Sequence, residues 1–279
     1  MKFQILPIFI FLSFNSISQN ANLNYGGTFI FSGIYKDGII VASDSRSCYF
    51  DTSGAILAYC DSSKKIYEYK RIVFAISGVF AFEESDLTFS GLFNKFTHFN
   101  NKPITANTAY DIFIDYAKTI LTDSELKSLK SNKIIVSGYV GNKRHIALYY
   151  NNIKDSIVDY GYRTNNINNN STAGFYKQAA DDLFKRTGAN AILFANTLVQ
   201  SEIRLKNIDN RVSIYGGETS ILIIKKGAIT WIKNNCNSED LTLKDHLKTV
   251  VSHKLKMWYR SPSDSIVLEK SMKQYINQH

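Results

Sequence analysis

Alternating apolar runs and short polar turns mark the chain's first third as a series of strands. Phe29, Ile30 and Phe31 open one strand, Lys36-Asp37-Gly38 reads as a tight turn, and Ile39 to Ala42 returns, with Asp-Gly the strongest hairpin cue. The two strands are predicted to run antiparallel, which brings Ala42-Ser43-Asp44-Ser45-Arg46 back beside Thr28. A second pair follows: Lys64 to Tyr69, a turn at Lys70-Arg71, and Ile72 to Gly78.

Beyond this the period lengthens. From Glu84 to Phe96, and from Ala106 to Leu121, apolar positions recur at helical steps, as in Ala109, Ile112, Phe113, Tyr116, Ala117 and Ile120. Strands are predicted at Ile146 to Tyr150 and Ile157 to Tyr160, followed by the loop-like asparagine run Asn165 to Asn170 and a helix from about Gly174 to Thr187. Val212 to Tyr215, Ser220 to Ile224 and Ala228 to Ile232 read as late strands, the last two joined at Lys225-Lys226-Gly227. Between Lys244 and Arg260, basic residues interleave with Leu247, Val250, Val251, Leu255, Met257 and Trp258, which predicts an amphipathic helix with a basic solvated face within a helical tail of about 240 to 279.

Composition adds constraints. With 279 residues, 44% of them hydrophobic, only 3 prolines and no linker-like stretch, the chain fits one large-cored domain over residues 28–279. Residues 1–18 resemble a signal peptide: Lys2 is the only charge, Ile5 to Phe14 is apolar apart from Ser13, and Ser16-Ile17-Ser18 offers a small-x-small cleavage site before Gln19. Export, to a periplasm or the exterior, would leave residues 19–27 as a short propeptide. The net charge of +9 is spread along the chain, so no nucleic-acid partner is expected; the basic terminal helix suits a subunit contact or a membrane-surface contact equally well. Cys48 and Cys60 flank one connection and could face each other as a disulfide or stay as buried thiols, with Cys236 left over. The 5 histidines are scattered without metal-ligand spacing, and no metal or cofactor is expected.

The chemistry centres on Thr28. Threonine is a poor nucleophile at its free pKa, and a freed α-amine on the same residue can take its proton. Such an amine titrates at about 7.7 to 8.0, against ~10.4 for lysine, so it works as a base near neutrality. A cut between Gly27 and Thr28 would put nucleophile and base in one residue. A buried lysine nearby would lower the hydroxyl pKa, and a glycine at a strand end would let a backbone N–H reach a substrate oxyanion. Taken singly, Thr28 is an ordinary strand-start threonine, Asp44 a strand-end carboxylate and Lys65 a surface charge; their order within one hydrophobic pattern carries the argument.

Thr28, the run Asp37 to Arg46, Lys64-Lys65-Ile66 and Ala75-Ile76-Ser77-Gly78 resemble the N-terminal half of proteasome β-type subunits, which are N-terminal-nucleophile (Ntn) threonine hydrolases, over roughly residues 27 to 82. The resemblance implies an α/β (α+β) fold, a four-layer αββα sandwich of two mainly antiparallel sheets between helix layers. It makes Thr28 the nucleophile, Asp44 the carboxylate that orients the catalytic lysine, Lys65 that lysine, since it directly precedes Ile66-Tyr67-Glu68, and Gly78 the oxyanion donor. The family's serine that manages the proton on the amine would correspond to Thr172 or Ser171, before the helix at Phe175. Two departures stand out. The segment Cys48 to Ser63 is several residues longer than the family's, and no aspartate lies in register before Gly216-Gly217, Asp209 being the nearest.

The reading is therefore a threonine-type endopeptidase or amide hydrolase. As an exported enzyme without an ATP supply it would cut peptides or already unfolded chains, alone or as a homo-oligomeric ring. The alternatives are a catalytically silent structural or binding subunit of the same fold, and a non-peptide Ntn amidase.

Overall fold

The computed structural model describes residues 24–26, 28–35, 37–51, 53–100, 103–158, 162–164, 190–206, 215–234 and 240–279. In chain order the elements are β1 (Asn24–Gly26), β2 (Ile30–Tyr35), β3 (Gly38–Ser43), β4 (Ser47–Phe50), β5 (Ile56–Cys60), β6 (Ile66–Tyr69), β7 (Ile72–Ser77), β8 (Ala81–Phe82), β9 (Leu87–Thr88), α1 (Phe89–Phe99), α2 (Ala109–Ala117) and α3 (Asp123–Ser131). There follow β10 (Lys133–Val140), β11 (Lys143–Tyr150), β12 (Ile153–Val158), β13 (Tyr162–Thr164), α4 (Ala191–Lys206), β14 (Ser220–Lys225), β15 (Ala228–Lys233), α5 (Leu243–Val251), β16 (Met257–Tyr259) and α6 (Pro262–Gln278). The fold is mixed α/β, and all its strand pairs are antiparallel among the described residues.

Two five-stranded sheets, in the orders β13-β2-β3-β14-β15 and β12-β11-β10-β7-β6, meet through an aliphatic cluster that includes Ile30, Ile39, Val41, Val73, Ala75, Ile135 and Leu222. Ser32 and Ser137 also face each other there, their hydroxyl oxygens 2.7 Å apart. The period of two explains why Ile39 to Ala42 and Ile72 to Ile76 are apolar without interruption: alternate residues point to opposite faces, and both faces are covered. Phe74 and Ile76 point away from the partner sheet into a cluster with Phe93, Phe96 and Phe113 of α1 and α2. On the other sheet, Phe29, Phe31, Ile40 and Ala42 pack with Phe194 and Leu198 of α4, Phe31 and Phe194 edge to face at 5.5 Å.

A third sheet, β1-β4-β5-β16, carries α5 and α6 through Tyr49, Leu57, Leu247, Leu268 and Met272. It settles the cysteines. Cys60 sits directly across from Ser47, and Cys48 directly across from Tyr59, so the two thiols project from opposite faces of the sheet. Both are free and buried, and the alternative of a Cys48–Cys60 disulfide is corrected; Cys236 lies outside the described residues.

Both predicted hairpins form as read, with β2 on β3 and β6 on β7. Helix boundaries differ. The first helix starts at Phe89 rather than Glu84, because Glu83 to Asp86 is a turn with Asp86 at φ 47° and Leu87-Thr88 pairs with Ala81-Phe82. Thr88 then caps the helix, its hydroxyl accepting the Gly91 N–H at 3.0 Å. The second contracts to Ala109–Ala117 between turns. The basic helix from Lys244 to Arg260 is corrected: it ends at Val251, His253 takes a left-handed φ of 56°, and Met257–Tyr259 pairs with β5 instead. Ser261 and Pro262 restart the chain as α6, the Ser261 hydroxyl accepting the Asp264 N–H at 3.2 Å. The predicted helix from Gly174 and most of the strand Val212 to Tyr215 lie outside the described residues, and Tyr215 itself is in a bend.

Candidate active site

The β2–β3 hairpin sets Thr28 and Asp44 side by side. The Asp44 N–H donates to the Phe29 carbonyl at 3.2 Å, and the Phe29 N–H returns to Asp44 Oδ1 at 3.0 Å. Thr28 is 1% exposed and Asp44 fully buried. The neighbouring sheet fixes the threonine from the other side, where Ser77 at the end of β7 donates its hydroxyl to the Thr28 carbonyl at 2.9 Å.

Lys65 enters from the chain just before β6. Its carbonyl accepts the Ile76 N–H at 2.9 Å, which ties it to β7, and its side chain is buried with only 2% exposure. The ammonium donates to Ser47 Oγ at 2.8 Å and lies 5.7 Å from the centre of the Phe80 ring. Lys65, not Lys64, is therefore the inward lysine; Lys64 lines a surface cleft. The positive charge of Lys65 acts on Asp44 and holds down a carboxyl pKa that burial drives up.

The second oxygen of Asp44 is held from far along the chain. Gly216 donates its N–H to Asp44 Oδ2 at 2.9 Å, and its carbonyl accepts the Ser45 N–H at 3.2 Å. Asp44 thus receives two backbone N–H bonds inside a buried site. Burial pushes its carboxyl pKa up to about 7, against the pull of Lys65, the Gly216 and Phe29 amides and Arg46. A buried carboxyl raised to near neutrality, with a buried lysine acting on it, makes this cluster the candidate site.

Gly78 follows Ser77 with φ 133°, a backbone that side chains rarely adopt, and a Cβ there would collide with the Asn132 side chain. Asn132 clamps the next residue, accepting the Val79 N–H and donating to the Val79 carbonyl, both at 2.7 Å. The strand end that carries Gly78 is thereby fixed beside Thr28.

Thr28, Asp44, Lys65 and Gly78 thus gather where the two five-stranded sheets meet. Thr172, Ser171 and Asp209 lie outside the described residues. The sequence reading assigned no role to Ser47 or Ser77. Ser47 opens β4 three residues after Asp44, and Ser77 directly precedes Gly78 at the end of β7, so their nearness in the chain to assigned residues was the available signal.

On the far side of Phe80 a small surface cleft is lined by Ser63, Lys64, Tyr67, Phe80, Asp240 and His246. His246 on α5 packs edge to face on Phe80 at 5.4 Å. Its Nδ1 faces Asp240 Oδ2 at 3.2 Å, and its Nε2 shares a hydrogen bond with the Tyr49 hydroxyl at 2.8 Å. No group of three or more His, Cys, Asp or Glu that could hold a metal ion occurs among the described residues, and no helix described there is long and apolar enough to cross a membrane.

Neither a protein-family model nor a curated protein matches this chain.

Proposed function

We propose that the chain is a threonine-type N-terminal-nucleophile hydrolase of peptide bonds, built as a four-layer αββα sandwich. The observation that carries the reading is the buried Asp44 carboxyl, held by the Phe29 and Gly216 amides and set beside the buried Lys65, at the strand end adjoining Thr28. Such a cluster is costly to bury without a task.

In the proposed reaction a cut at Gly27–Thr28 frees the Thr28 α-amine. Thr28 Oγ1 attacks a substrate carbonyl carbon while its proton passes to that amine, with Lys65 lowering the hydroxyl pKa and ionised Asp44 orienting Lys65. The Gly78 N–H stabilises the oxyanion. Collapse breaks the C–N bond, the leaving amine takes the proton back, and water hydrolyses the threonyl ester to release the acid.

A peptide is favoured over another amide by the chain's own upstream segment. Asn24–Gly26 runs as an extended strand against β4, Tyr25 across from Tyr49 and Gly26 across from Cys48, so the approach to Thr28 already accommodates a polypeptide in strand form. With residues 1–18 as a signal peptide, the substrates would be peptides or unfolded chains outside the cytosol.

One observation favours a silent subunit as the second reading: Thr28 is closed off from solvent in the uncut chain, so a protein that keeps residues 19–27 presents no nucleophile. Intact mass and N-terminal sequencing of the mature protein separate the two. A start at Thr28 is expected, and a start at Gln19 selects the silent subunit. Thr28→Ala is expected to abolish cleavage of a peptide-amide substrate and to retain residues 19–27; undiminished activity would remove Thr28 from the mechanism.

A further inference from the structure

The Gly216–Gly217 turn must stay in place for the Gly216 amide to reach Asp44, and what holds it comes from the enlarged connection around β5. Arg46 lies against the turn so closely that a Cβ on Gly216 would collide with its guanidinium. The other face of that guanidinium stacks on Tyr59, 3.7 Å from the ring centre. In the plane between, Asp61 takes Arg46 Nε on Oδ1 at 2.7 Å and Nη2 on Oδ2 at 2.9 Å, a bidentate fork. The same aspartate touches the turn directly: a Cβ on Gly217, whose φ is 73°, would lie 2.8 Å from Asp61 Cβ. Its carbonyl accepts the Ser45 hydroxyl at 2.8 Å, and that hydroxyl accepts the Glu218 N–H at 2.9 Å.

Asp61 therefore meets all three parts that shape the turn: Arg46, Ser45 and Gly217. We propose that Asp61 is a positioning residue of the active site, which acts through Arg46 and Ser45 to keep the Gly216 amide on Asp44 Oδ2. This rests on the hydrolase reading of Thr28 for its meaning, but the geometry it asserts can be measured without catalysis. It also gives the longer Cys48 to Ser63 segment a task, because that segment delivers the carboxylate that braces the Gly-Gly turn.

The test is the titration of the Asp44 side-chain carboxyl, followed by carbon NMR in the full-length protein and identified by its loss in Asp44→Asn. Deleting the negative charge of Asp61 would by simple electrostatics lower the Asp44 pKa or leave it alone. Loosening the turn removes an N–H bond to the carboxylate and raises it, so the sign separates the two. In Asp61→Asn the midpoint is expected to move up by about one pH unit, with Asp61→Glu restoring part of the shift. The acid limb of the rate profile should move with it. A midpoint that stays or falls in a folded Asp61→Asn variant overturns the proposal. If that variant does not fold, Arg46→Lys, which keeps the charge but cannot fork, is read in the same way. Wild-type protein without hydrolase activity would count against Thr28 as nucleophile and leave this titration readable.

Discussion

Two buried polar clusters flank Phe80, and they are built by opposite means. On one side, Asp44 and Lys65 bring ionisable groups into a buried site where the carboxyl is held by backbone amides and its pKa is lifted to about 7. On the other, Asp240, His246 and Tyr49 form a chain of side-chain hydrogen bonds that opens on a cleft. The first cluster holds a carboxyl against its own ionisation; the second satisfies each neighbour and fastens α5 to β4. Polar burial is common to both clusters; a carboxyl held against its own ionisation is what sets the first apart as the candidate site.

The contrast breaks most sharply at Lys65. Lys65→Ala is expected to lower the rate of peptide-amide hydrolysis by about 100-fold or more. Tyr49→Phe is expected to leave that rate within about threefold. Equal losses in the two variants, measured on the same substrate, would erase the distinction.

The next effect is on stability against pH. Burial raises Asp44 from 3.8 to about 7, so between these values the folded chain binds more protons than the unfolded one and Asp44 makes the protein less stable as pH rises. Asp44→Asn lacks this liability. Its stability relative to wild type, from urea unfolding, should improve by on the order of 3 kcal/mol between about pH 4 and pH 7. A difference that does not vary with pH would mean that Asp44 ionises as freely folded as unfolded.

Smaller still is the cost in the second cluster. Tyr49→Phe leaves the His246 ring nitrogen without its hydroxyl partner and should destabilise by about 1 to 2 kcal/mol in urea. The smallest effect concerns the thiols. Cys48 has its pKa pushed up to about 12 by burial, and Cys60 is raised by the same cause. Neither should react with a thiol reagent until the chain unfolds, and adding a reductant should not shift the melting temperature. A melting point that drops on reduction would require the bridge that the strand pairing forbids.

Sequence reasoning reached the first cluster because its parts are local: a hairpin returns Asp44 to Thr28, and one more strand pair delivers Lys65. Period and turn chemistry brought Thr28 and Asp44 together, while the choice of Asp44, Lys65 and Gly78 as site residues rested on the resemblance to proteasome β-type subunits. It missed Asp61 because an aspartate next to a strand end carries no mark of the arginine it will meet, and the Gly216 turn lies more than a hundred residues away in the chain. The C-terminal misreading has a different cause. Leu247 and Val250 do form a helical stripe, but Met257 to Tyr259 find open backbone partners on β5, and strand pairing overrides a pattern that also fits a helix. Ser261-Pro262, a helix-start signal, was present in the sequence to mark the break.

The strand β1 has a consequence for timing. While residues 24–26 are tethered to Thr28 they pair with β4 at high effective concentration, and the outer sheet edge is occupied by the chain itself. A cut at Gly27–Thr28 would turn that strand into a free peptide held to β4 by pairing alone, no longer tethered to the chain. Its departure would uncover the β4 edge at the moment the amine is released. One bond cleavage would then set both events on the same clock, and an uncut chain would be guarded against stray pairing with other extended segments.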